Sequence, residues 1–276
     1  MPINVLVVDD SAFMRLAISK MLGSDPEIVV CATARNGEEA VAKAQQLRPD
    51  VVTMDVEMPG IGGLEAVREI AAQSDIPVIM VSALTHEGAE TTFQALEAGA
   101  VDFIPKPDSA YVNINDVARD LVAKVRVFAR RSRSAAAERP SSQLSKTALP
   151  RLAFECVAIG TSTGGPVALS KIVPALPENF PIPILIVQHM PPGFTRPLAD
   201  RLNAGSALRV AEAQDGMVLQ PGSALVAPAG KQLRVRRAPG RGEVEVVLMA
   251  DDGQSLHVPS VDVMTASVAD TFGAST

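Results

Sequence analysis

Five short apolar runs alternate with segments of helical spacing through the first 128 residues. That alternation restricts the fold more than any other feature. The runs cover 5–8, 28–31, 51–54, 76–81 and 101–104. Between them the pattern predicts helices. In the first, Phe13, Leu16, Ala17 and Met21 share a face and Gly23 closes the helix. The second runs from an Asn36 N-cap to about 47, the third near 64–72 and the fourth over 88–98. The last carries Val117, Leu121, Val125 and Phe128 at helical spacing. Apolar strands with no polar alternation need both faces covered. Strands separated by amphipathic helices give a parallel sheet. The expectation is a five-stranded, parallel, doubly wound α/β domain over 1–128.

The composition changes after Phe128. Residues 129–152 are rich in Arg, Ser, Ala and Pro without an apolar stripe, which predicts a flexible linker. Arg130, Arg131 and Arg133 read as a solvated basic helix end. The βα rhythm returns over 153–276, with strands at 157–159 and 182–187 and helices at 164 onward and 193–202. Short strands at 224–226, 233–235 and 244–249, with Gly/Pro turns, predict a β-hairpin insertion, and 261–272 is helical again.

At 276 residues, 47% hydrophobic and 20% charged, the chain can bury two cores. A net charge of −6, no Trp and a single Tyr argue against a nucleic-acid surface. The apolar runs are too short for membrane insertion. The N-terminus has no basic stretch or cleavage site. Cys31 and Cys156 read as buried, reduced thiols. These features together predict a cytoplasmic protein.

Asp9 and Asp10 follow the first strand, and Asp55 follows the third. Ligands of open α/β sheets bind outside the carboxyl ends of strands. Three carboxylates gathered there need a cation, and hard oxygen ligands suit Mg²⁺. A carboxylate so placed can act as nucleophile toward a phosphoryl group. Ser82 ends the fourth strand and Lys106 follows the fifth, where a hydroxyl and an ammonium can bond a phosphoryl oxygen. The segments Val7-Val-Asp-Asp-Ser11, Met54-Asp-Val-Glu-Met-Pro-Gly60 and Lys106-Pro107 resemble a response-regulator receiver domain, a flavodoxin-like fold. That resemblance implies Asp55 as phospho-acceptor, with Asp9 and Asp10 holding Mg²⁺. Glu57 would add its backbone carbonyl. Ser82 and Lys106 would sense the phosphoryl group, and Phe103 would stand in the aromatic switch position. The phosphodonor would be a histidine kinase.

In the second half, Gly160-Thr-Ser-Thr-Gly164 lies between a strand and a helix. This is the context of a nucleophile elbow, whose helix N-terminus offers N–H groups to an oxyanion. Ser162 needs a base. Of three histidines, His189 and His257 lie in this half. His189 follows the next apolar strand and is the stronger candidate; His257 lies in a polar loop. Ile159-Gly-Thr-Ser-Thr-Gly-Gly-Pro166, Val187-Gln-His-Met-Pro-Pro-Gly-Phe-Thr195 and Val258-Pro-Ser-Val-Asp-Val263 resemble the catalytic domain of CheB-type protein-glutamate methylesterases. That family hydrolyses glutamate methyl esters on chemoreceptor cytoplasmic domains and deamidates certain receptor glutamines. The resemblance implies Ser162 as nucleophile, His189 as general base and Thr163 beside the oxyanion site. It implies no cofactor for ester hydrolysis. It also implies an unphosphorylated receiver that covers the active site.

The family's third triad member is an Asp in a Gly-Met-Gly-x-Asp-Gly segment, and no such segment occurs in the sequence. Asp251 and Asp252 sit in an apparent turn. Asp262 belongs to the Pro-Ser-Val-Asp run and Asp270 to the last helix. The expectation is a C-terminally truncated catalytic domain, its sheet short of one strand, with little esterase activity. Two other readings compete. One is an impaired response regulator that binds kinase or receptor and drains phosphoryl groups. The other is a general α/β-hydrolase, in which the acid precedes the histidine in chain order.

Overall fold

The computed structural model describes residues 1–106, 114–135, 154–240 and 242–273. The chain divides into two compact units, Met1–Ser142 and Gln143–Thr276.

The first unit runs β1 (Ile3–Val8), α1 (Ala12–Leu22), β2 (Ile28–Ala34), α2 (Gly37–Leu47), β3 (Val51–Asp55), α3 (Gly63–Gln73), β4 (Val78–Ser82), α4 (His86–Ala98), β5 (Asp102–Pro105) and α5 (Ile114–Ala135). The sheet order is β2-β1-β3-β4-β5, and every pair is parallel. The order reverses at β1/β3, which opens a crevice at the carboxyl ends of those strands. All residues of β3, β4 and β5 are buried, as uninterrupted apolar runs require. Side-chain caps fix the starts of α2 and α4. Asn36 Oδ1 accepts from the Glu39 N–H at 2.9 Å, and Thr85 Oγ1 from Gly88 at 2.9 Å. Val117, Leu121, Val125 and Phe128 of α5 pack with Ile18 and Leu22 against β1.

Three expectations change here. On α1 the buried face is Met14, Ile18, Met21 and Leu22, while Phe13 and Leu16 are 72% and 70% exposed. Two apolar stripes of helical spacing run along α1, offset by about one residue. Only packing against β1 and α5 chooses between them. Cys31 is exposed, because β2 is an edge strand with alternating burial. Helix α5 continues to Ala135, past the position where the composition shifts. Of the linker reading, residues 136–152 lie outside the described residues.

The second unit runs β6 (Val157–Thr161), α6 (Gly165–Ile172), a 3₁₀ turn (Val173–Ala175), β7 (Ile184–Gln188), α7 (Thr195–Gly205), β8 (Arg209–Glu212), β9 (Ser223–Val226), β10 (Lys231–Arg237), β11 (Val244–Ala250) and α8 (Val261–Phe272). Strands β6-β7-β9-β8 form a parallel sheet, and β10 and β11 an antiparallel hairpin. The segment 224–226 is thus a strand of the main sheet, not part of the insertion; only β10 and β11 form the hairpin. Periodicity over four residues cannot distinguish these roles. Met264, Val268 and Phe272 of α8 pack with Leu233, Val235 and Val246 of the hairpin and with Leu185 and Val187 of β7. Among the described residues β6 is an edge strand. None of its residues is fully buried, whereas every residue of β7 is. No helix among the described residues is long and apolar enough to cross a membrane.

Candidate functional site

Two sites emerge, one per unit. In the first, Asp9 lies just past β1 and Asp55 ends β3. Both are fully buried. With Asp10 they offer carboxylate oxygens that all lie within 4.8 Å of one another. Lys106 Nζ is 2.9 Å from Asp55 Oδ1 and 4.0 Å from Asp9 Oδ2. Burial, aided by the neighbouring Asp55 charge, pushes the Asp9 carboxyl up to about 6. Burial also raises Asp55, although Lys106 opposes the shift. The Oδ2 atoms of Asp9 and Asp55 are buried with no hydrogen-bond partner among the described residues. Costly bare acceptors that converge on one point fit a hard divalent cation, and Asp9, Asp10 and Asp55 are the residues that would hold Mg²⁺.

The remaining receiver residues surround this pocket in different ways. The Glu57 N–H donates to Asp55 Oδ1 at 3.4 Å, while its side chain is exposed. Ser82 is buried, and its hydroxyl donates toward the carbonyls of Gly88 at 3.1 Å and Ala83 at 3.3 Å. Both bonds tie the hydroxyl to its own chain around the start of α4. Phe103 is buried, edge-on to Phe93 at 6.3 Å. The Lys124 ammonium lies 5.6 Å from the Phe103 ring centre, ion-pairs with Asp102 at 3.2 Å and donates to the Phe103 carbonyl at 2.6 Å.

In the second unit, β6 delivers Ser162 one residue past its end, exposed. Gly164 supplies the left-handed turn, with φ 73°, that leads into α6. The Gly165 N–H donates to the Ser162 carbonyl at 2.8 Å, and Thr163 is half-buried in this turn. His189 follows β7, whose Gln188 is in register with Thr161 of β6. The His189 N–H donates to the Thr161 carbonyl at 3.1 Å, so Ser162 and His189 leave adjacent strand ends side by side. The His189 ring stacks on His257, with centroids 4.2 Å apart and planes 30° apart. The two histidines that compete in the sequence therefore meet at one place. Asp251 and Asp252 accept N–H bonds within their own turn, at 3.0 Å from Gly253 and Gln254. Asp262 and Asp270 are exposed on α8. Burial pushes the Cys156 thiol up to about 11, leaving it inert at neutral pH.

Gln188 is a further residue of this site that no sequence motif singles out. Its Nε2 donates to the carbonyls of Ser162 at 3.0 Å and His189 at 2.9 Å. The signal available was a carboxamide closing the apolar run Ile184-Leu-Ile-Val187 directly before a histidine.

Known protein families match both halves of the chain. The response regulator receiver domain family matches residues 5–113, and the CheB methylesterase family matches 157–276. A protein-glutamate methylesterase/protein-glutamine glutaminase of Desulfitobacterium hafniense is 44% identical over 320 aligned positions, covering 100% of this chain and 81% of the relative. The chain belongs to the protein-glutamate methylesterase/protein-glutamine glutaminase family. A member from Pyrococcus abyssi is 45% identical, with 98% of this chain and 75% of the relative covered. The crystal structure of the response regulator domain of Thermotoga maritima CheB is 47% identical over 47% of this chain and 98% of that one, with a TM-score of 0.43.

Proposed function

We propose that this chain hydrolyses glutamate methyl esters and deamidates glutamines on chemoreceptors during chemotaxis, under the control of a phosphorylatable receiver. The observation that carries the reading is the pairing of Ser162, exposed at a strand-to-helix elbow, with His189 at the end of the neighbouring parallel strand. Ser162 Oγ attacks the γ-carbonyl carbon of the receptor glutamate ester, and His189 takes the hydroxyl proton. The backbone N–H of Thr163, the residue after the nucleophile, faces the developing oxyanion. The proton passes to the departing methoxide, which leaves as methanol. Water, deprotonated by His189, then cleaves the acyl–serine ester to give the glutamate carboxylate and restore Ser162. With glutamine the leaving group is ammonia.

In the receiver, Asp55 takes the phosphoryl group from a histidine kinase. Asp9, Asp10, Asp55 and the Glu57 carbonyl would hold Mg²⁺, which would supply charge neutralisation for that transfer. Lys106 pairs with Asp55, and Ser82 is the second phosphoryl contact. We place the receiver from residue 1 through the end of α5 at Ala135 and the catalytic domain at 153–276, with the intervening segment as linker.

Methanol release from a methylated receptor fragment tests the reading. The expected result is release that Ser162→Ala abolishes. Equal release by wild type and Ser162→Ala would overturn the assignment.

A further inference from the structure

Gln188 is the last residue of β7, only 2% exposed, at the end of a strand that is otherwise apolar and buried. The last backbone hydrogen bond between β6 and β7 is His189 N–H to the Thr161 carbonyl. Beyond it the chains diverge, one into the elbow and the other into the histidine loop. The Gln188 carboxamide bridges that divergence. Its two donors go to the carbonyls of Ser162 and His189, the residues that carry nucleophile and base. Two carbonyl acceptors fix which way the amide points, since the flipped amide would set oxygen against oxygen. Oε1 is then turned toward Gly165, where a Cβ would lie 1.8 Å from it. It is buried with no hydrogen-bond partner among the described residues. Stability alone gives no reason to bury a bare acceptor there, because a shorter apolar residue would close the strand without that cost.

We propose that Gln188 is a positioning residue for the hydrolysis, its carboxamide locking the Ser162 elbow to the His189 loop so that nucleophile and base hold their mutual geometry. The inference rests on reading Ser162 as nucleophile and His189 as base. Gly165 belongs to the same device, because only glycine leaves room for the carboxamide against α6.

The test uses the whole chain and a fluorophosphonate, which forms an Oγ–P bond on the serine and loses fluoride. Gln188→Met keeps the length and removes both donors. Gln188→Glu keeps the shape and turns an acceptor toward two carbonyls. Gly165→Ala displaces the carboxamide without altering it. Misplacement of reacting groups by about 1 Å costs up to about 100-fold in rate. The expected result is a roughly 10- to 100-fold fall in the maximal inactivation rate with the half-saturating concentration within about twofold of wild type, in all three variants. Gln188→Glu is expected to be the slowest of the two Gln188 variants, and all are expected to keep a cooperative thermal transition. Unchanged rates in Gln188→Met and Gln188→Glu would overturn the clamp. So would slower labelling that tracks loss of cooperative unfolding in all three, which marks ordinary scaffolding. Absence of any Ser162 adduct in the wild-type chain would instead overturn the nucleophile reading on which the clamp depends.

Discussion

Asp9 concentrates the energetic conflict of the receiver in one side chain. Its carboxyl is fully buried, faces Asp55 and rises to about 6 from an ordinary value near 3.8. A carboxyl raised on folding binds its proton more tightly in the folded state. The stability tied to that proton is present below about pH 4 and is lost as pH rises toward 6. Metal-free protein at neutral pH therefore carries a penalty of about 2–3 kcal/mol at this residue. Asp9→Asn is expected to raise the metal-free melting temperature at pH 7, with the gain shrinking toward pH 4. Mg²⁺ should raise the wild-type melting temperature and raise that of the variant less. Equal melting temperatures at pH 7 without Mg²⁺ would contradict this. Residues of this kind were legible in the sequence, because acidic side chains at successive strand ends form a pattern. Gln188 was not legible in the same way. Its role comes from two backbone carbonyls, one of them 26 positions away, and no spacing rule encodes such a contact.

At the scale of elements, the strands of the receiver were readable because each is a short apolar run that must be covered on both faces. The face of α1 was not, since its two stripes differ only by a rotation that the neighbouring β1 and α5 decide. Nor could 224–226 be placed, because a run of three residues carries no mark of which sheet it joins. The junction of β5 and α5 rests on the buried pair Lys124–Asp102 at 3.2 Å, with Lys124 also bonded to the Phe103 carbonyl. Removing one member of a buried pair leaves an uncompensated charge and costs about 3–5 kcal/mol. Lys124→Ala is expected to destabilise the receiver by about that amount in urea titrations, more than any exposed pair such as Arg196–Asp200. A loss below about 1 kcal/mol would show that α5 is held by its apolar face alone.

At the scale of the whole molecule, an acidic pocket and a serine elbow share one chain, and under the proposed function the first governs the second through Asp55. Asp55→Asn is expected to remove any response to a phosphodonor while leaving the basal reactivity of Ser162 in place. The division into two units was visible from the shift in composition after Phe128, although α5 extends beyond it to Ala135. The most direct measurement is the rate of fluorophosphonate labelling of the whole chain, with the modified residue located by peptide mass spectrometry, with and without acetyl phosphate and Mg²⁺. The expected result is a single adduct on Ser162, formed faster with the phosphodonor, with the increase lost in Asp55→Asn. An adduct at another residue, or the same increase in Asp55→Asn, would contradict it.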